Sequence, residues 1–65
     1  MSTVSPREGH AFVQKACQEL GYTEQQAADY IAEAEHGDGV AYWEYFQTYD
    51  DVKQDVHVYF DNIDA

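Results

Sequence analysis

The chain has 65 residues, thirteen of them Asp or Glu against three Lys or Arg, for a formal net charge of −10. Its 45% hydrophobic and 15% aromatic content excludes the disorder that such charge would otherwise impose. The acidity argues against direct binding to nucleic acid or anionic lipid and favours basic partners. A lone cysteine excludes an internal disulfide, and no apolar run suits a signal peptide or a membrane span. The expectation is one cytoplasmic domain, residues 1–65, near the lower size limit for a self-sufficient core.

Met1 to Val4 show no pattern and are expected to fray. Ser5-Pro6-Arg7-Glu8 then supplies a hydroxyl N-cap, a proline at the first helical position and a Glu that completes a capping box. Phe12, Val13, Ala16, Cys17 and Leu20 fall on one face of the helix so started, and Gly21 is a natural stop. Thr23 and Gln26 open a second helix, whose face is Ala27, Tyr30, Ile31 and Ala34 and whose end is expected near His36-Gly37.

The stretch after Asp38 or Gly39 is ambiguous. As a strand, Val40 to Phe46 would place Glu44 on the same face as Val40, Tyr42 and Phe46. As a helix it gathers Tyr42, Trp43, Tyr45, Phe46 and Tyr49 on one broad side and leaves Glu44, Gln47 and Thr48 on the other. The helical reading separates rings from polar groups and is adopted. Thr48 offers another N-cap, with Asp50 and Asp51 in a first turn that favours carboxylates. Val52, Val56, Tyr59, Phe60 and Ile63 form the inner face of a fourth helix, with Asp50, Asp51, Asp55, Asp61 and Asp64 opposite; only the strand-prone VHVYF run speaks against it. The fold class expected is all-α, a small bundle of about four short helices.

Nothing in the chain assembles a catalytic or metal-binding constellation. His10, His36 and His57 are widely separated, Cys17 has no second thiol, and Glu35 to Gly39 lacks the alternating oxygen ligands of a calcium loop. Asp50-Asp51 reads as a charged first turn rather than an acid and base pair. The expectation is therefore no enzyme, no cofactor and no metal. Seven rings between Tyr42 and Phe60 exceed what so small a core can enclose, so one or two tyrosines should stay exposed among the acids, as interface anchors do.

Charge is unevenly spread. Met1 to Ala28 holds three acids and two bases, a net of −1, whereas Asp29 to Ala65 holds ten acids against Lys53, a net of −9. Carboxylates one helical turn apart are separated by roughly 5 to 6 Å along the axis, close to the phosphate spacing on one DNA strand. Asp29 with Glu33, and Asp51 with Asp55, are such pairs. The candidate partner-binding residues are Asp29, Glu33, Glu44, Asp50, Asp51, Asp55 and Asp61, facing a basic surface that ordinarily contacts phosphates.

Two resemblances bear on this. Leu20 to Phe46, LGYTEQQAADYIAEAEHGDGVAYWEYF, resembles a ubiquitin-associated domain: Leu20-Gly21-Tyr22 stands at that family's Met-Gly-Phe/Tyr loop, Gln26-Ala27 starts its second helix, and Gly37-Asp38 precedes a third with an aromatic near Trp43. That likeness implies compact three-helix packing and, as an alternative function, a protein- or peptide-binding module. In size and acidity the whole chain resembles the small acidic anti-CRISPR proteins of phages and mobile elements, type I-C inhibitors in particular. This second likeness implies a monomer in the bacterial cytoplasm that binds the CRISPR surveillance (Cascade) complex at its DNA-binding surface and excludes target DNA.

Overall fold

The computed structural model describes residues 3–64. Three α-helices, α1 (Pro6–Leu20), α2 (Glu24–Asp38) and α3 (Tyr49–Asp64), are joined by the Gly21–Thr23 turn and by a 3-10 segment, Gly39–Tyr45, that continues directly from α2. No strand occurs among the described residues, so both stretches with strand propensity are helical. The count is three α-helices rather than four.

Each α-helix starts where side-chain chemistry supplies a cap. Ser5 and Glu8 form a reciprocal capping box at the start of α1, as Thr23 and Gln26 do for α2. At α3, Thr48 Oγ1 accepts from the Asp51 N–H at 3.3 Å while Asp51 Oδ2 accepts from the Thr48 and Gln47 N–H groups at 3.3 and 3.2 Å. α1 ends as a Schellman turn, with Gly21 left-handed and the Tyr22 N–H donating to the Cys17 carbonyl at 2.7 Å. α2 runs past the expected His36-Gly37 end to Asp38. There Gly39, at φ 63° and ψ −147°, swings the chain into the 3-10 segment through backbone angles that side chains with a Cβ rarely adopt.

The segment from Gly39 corrects the expectation of a third α-helix with one broad aromatic side. Trp43 is buried within the segment, and Phe46, also buried, follows it in extended conformation at φ −112° and ψ 149°, so the helical repeat stops before it could carry Tyr45 and Tyr49 onto the same side. Tyr45, expected with the inward rings, is 72% exposed. Two end positions are also corrected. Val4 is buried, and its N–H donates to the Phe46 carbonyl at 2.9 Å, tying the chain's start to the residue after the 3-10 segment; Ile63, in the last turn of α3, is 59% exposed. Met1 and Ser2, also expected to fray, lie outside the described residues, as does the Asp64 side chain.

α1 is the shared partner of the fold, with α2 and α3 both packed on it. Val13, Ala16 and Cys17 of α1, Ala27 and Tyr30 of α2, Trp43 and Phe46, and Val52, Val56 and Phe60 of α3 form one core. α2 and α3 meet through rings, Tyr30 edge-on to Tyr59 at 5.1 Å, while Tyr22 from the first turn lies against Phe60 at 4.5 Å. Trp43 has no exposed surface; its indole N–H donates to Glu35 Oε2 at 2.7 Å, and the same oxygen stands 2.7 Å from His10 Nε2. One carboxylate of α2 thus ties α1 to the 3-10 segment, and these two hydrogen bonds, the indole's first, hold the Glu35 carboxyl below its ordinary range.

Candidate functional site

The acids expected on a common surface are divided by the fold into three settings. Asp29 and Glu33 stand one turn apart on the outer side of α2, both exposed. With Ala32, His36 and Tyr59 of α3 they line an open cleft of about 510 Å³. A neighbouring hollow of about 290 Å³ continues it along Tyr30, Gly37, Asp38 and Tyr42, and the two share Glu33 and Tyr59. Acids of α2 therefore face tyrosines contributed by α3 and the 3-10 segment.

Asp55 departs most from expectation. Placed by its helical position on the outer face of α3, it is instead half-buried behind this cleft, where its Oδ2 accepts the hydroxyls of Tyr30 and, at 2.7 Å, of Tyr42; the two hydroxyls are 3.2 Å apart. The reason is its place beside Val52, Val56 and Tyr59, at the border of the buried face, where two phenols from other elements reach it. Burial, followed by the Asp55 hydrogen bond, pushes the Tyr30 hydroxyl far above its ordinary value; Tyr42 rises to about 12, again from burial with a contribution from Asp55. The Asp51 and Asp55 pair is consequently not a pair of free charges.

The third setting is the outside of α3 and the 3-10 segment. Asp50 and Asp61 are exposed and eleven residues apart, which returns them to the same strip of the helix about 16 Å along its axis. Asp51 is exposed too, although its carboxylate caps the helix; Glu44 is exposed on the 3-10 segment.

The two lysines are gathered elsewhere. Lys53 Nζ donates to Glu19 at 2.9 Å, Tyr49 donates its hydroxyl to the same oxygen at 2.5 Å, and Lys15 Nζ lies 4.6 Å from the centre of the Tyr49 ring. Both lysines thus sit on the seam of α1 and α3. The Tyr49 and then the Lys53 hydrogen bonds lower the Glu19 carboxyl, while Tyr49, through desolvation and then the Glu19 bond, rises to about 12. From Thr23 to Phe46 the chain carries six acids and no Lys or Arg. Among the described residues only Glu35 of these six is paired, with His10, and none meets a Lys or Arg.

Sequence reasoning missed Asp38, Tyr42 and Tyr59 as lining residues of this site. The available signal was the repetition of acids along the exposed side of α2 together with tyrosines bordering the apolar faces that pack beside it. A separate hollow of about 440 Å³ between α1 and α2 has Cys17, Ala27 and Ile31 along it; burial raises the Cys17 thiol above its ordinary value. Among the described residues no three His, Cys, Asp or Glu side chains converge as a metal ion would need, and no helix is long and apolar enough to cross a membrane. Set against family models, curated proteins and solved structures, the chain matches none.

Proposed function

We propose that the protein is an anti-CRISPR inhibitor: a small acidic domain that occupies the basic DNA-binding surface of a type I-C surveillance complex and excludes target DNA. The observation that carries the basic-partner half of this reading is the span from Thr23 to Phe46: it has no Lys or Arg and six acids, of which, among the described residues, only Glu35 is paired, with His10, and Asp29 and Glu33 stand exposed one turn apart. A surface of that kind is attracted to grooves lined with Lys and Arg that ordinarily contact phosphates. The CRISPR half rests on the whole-chain resemblance. The reading involves no catalysis and no cofactor, and the inhibitor acts as a monomer in the bacterial cytoplasm.

The ubiquitin-associated resemblance would instead use Leu20 to Tyr22 as a binding loop. Tyr22 lies on Phe60 at 4.5 Å and Leu20 is half-buried, so both side chains are already packed against the domain's own core. Gly37 and Asp38, which in that reading precede a third helix, complete α2. The acidic reading is the better supported one. Its test is capture of a purified type I-C effector complex by the tagged chain, with and without target DNA: capture that prefilled DNA abolishes is expected, and absence of capture overturns the proposal.

A further inference from the structure

Resting on that reading of a basic partner, we propose that the cleft between α2 and α3 receives one arginine side chain of the partner, with Asp29 and Glu33 as its carboxylates and Tyr59 and Tyr42 as its walls. Three features of the cleft select a cation of this shape. The carboxylates are exposed and one turn apart along α2, Asp29 accepting only from Gln25 at 3.0 Å, and His36 is the one basic side chain among the residues that line the two hollows; Lys15 and Lys53 are held on the α1–α3 seam by Tyr49 and Glu19. The far end is the last turn of α2, where Gly37 and Asp38 line the hollow and the helix dipole is negative.

The third feature is aromatic. Tyr59 is partly buried and common to both hollows, and Tyr42, which lines the smaller one, is fixed in place by its bond to Asp55. A guanidinium is flat, stacks on such rings and forms paired hydrogen bonds with carboxylates, whereas an ammonium is a strongly hydrated point charge. At about 510 Å³ the larger hollow has room for one side chain rather than for a folded segment. The outer strip of α3, with Asp50 and Asp61 but no such hollow, offers charge without shape.

The test uses the intact, isotope-labelled chain titrated at low salt with acetylated tetra-arginine amide and, separately, tetra-lysine amide, followed by amide chemical shifts. Tetra-arginine is expected to bind roughly fivefold more tightly than tetra-lysine, with the largest shifts at Asp29, Glu33, His36 and Tyr59. Asp29→Asn with Glu33→Gln should weaken tetra-arginine roughly tenfold. Asp50→Asn with Asp61→Asn, the same change in net charge, should weaken it less than about twofold. These four positions are exposed, so the variants keep the fold. Equal binding of the two peptides, or equal losses in the two double variants, would overturn the pocket. Specific tetra-arginine binding without capture of the effector complex would keep the pocket and remove the CRISPR reading; capture that survives loss of the cleft acids would do the reverse.

Discussion

The indole of Trp43 lies against Gly9 so closely that a Cβ added there would stand 2.4 Å from its Cδ2 and Cε3 atoms. Only a residue without a side chain lets the 3-10 segment settle onto α1, and Trp43 is the largest fully buried side chain in the domain. Gly9→Ala must therefore displace the indole, and overpacking of this kind costs about 1 to 3 kcal/mol. Gly37 is the contrast: it lies inside α2 with open space where a Cβ would go. Gly37→Ala should stabilise by about 0.5 to 1 kcal/mol through the unfolded chain and helix propensity. Urea unfolding of the two variants gives shifts of opposite sign; two shifts of the same sign would mean that the Gly9 and Trp43 contact is not what holds the segment.

Asp55 is expected to behave as a structural acid and Asp50 as a surface one. Asp55→Ala removes the acceptor of two tyrosine hydroxyls, one from a buried ring, and should cost about 1 to 3 kcal/mol. Asp50→Ala, exposed in the first turn of α3, should change stability by less than about 1 kcal/mol. Comparable denaturation midpoints for both variants would place Asp55 on the open surface after all.

Alkali should unfold the domain. Tyr42 and Tyr49 are raised from 10.0 to about 12, and Tyr30 is raised further. A tyrosine raised in the folded state keeps its proton there above the pH at which the unfolded chain releases it. The folded state then binds more protons, and stability falls as pH rises. The contribution is whole below pH 10.0 and is lost as pH climbs toward about 12. Melting temperature should fall across that window, with phenolate absorbance appearing together with loss of helix; phenolate formation by Tyr42 with the helices intact would contradict the Asp55 network.

Salt should stabilise the fold. A net charge of −10 on a domain of 33 × 23 × 19 Å repels itself more when compact than when expanded. The Debye length shortens from about 30 Å at 0.01 M to about 8 Å at 0.15 M, less than any dimension of the molecule. Salt also screens the Lys53 and Glu19 pair, but an exposed pair contributes only about 0 to 1 kcal/mol. Relief of repulsion should win, and melting temperature should rise with sodium chloride; a fall would mean that local ion pairs dominate.

What was legible in the chain was mostly local. Ser5 with Glu8, Thr23 with Gln26, and Thr48 beside Asp51 mark three helix starts because a cap is decided within four residues. The 3-10 segment was not legible, since its geometry comes from seating Trp43 on Gly9 and Phe46 beside Val4, contacts between distant parts of the chain. The same holds for the site. Exposure of Asp29 and Glu33 followed from the helical repeat, while the inward turn of Asp55 depends on Tyr30 and Tyr42, which the repeat of α3 does not contain.

The most direct measurement is competition: binding of a labelled target duplex to a purified type I-C effector complex as the chain is added, repeated at rising salt. Duplex binding should fall to zero as the chain saturates the complex. Asp29→Asn with Glu33→Gln should require roughly tenfold more protein, and the chain's affinity should weaken steeply between about 0.05 and 0.5 M salt. An effector complex that holds duplex and chain together, or that binds duplex undiminished at saturating chain, would contradict the proposal that this acidic face takes the place of DNA.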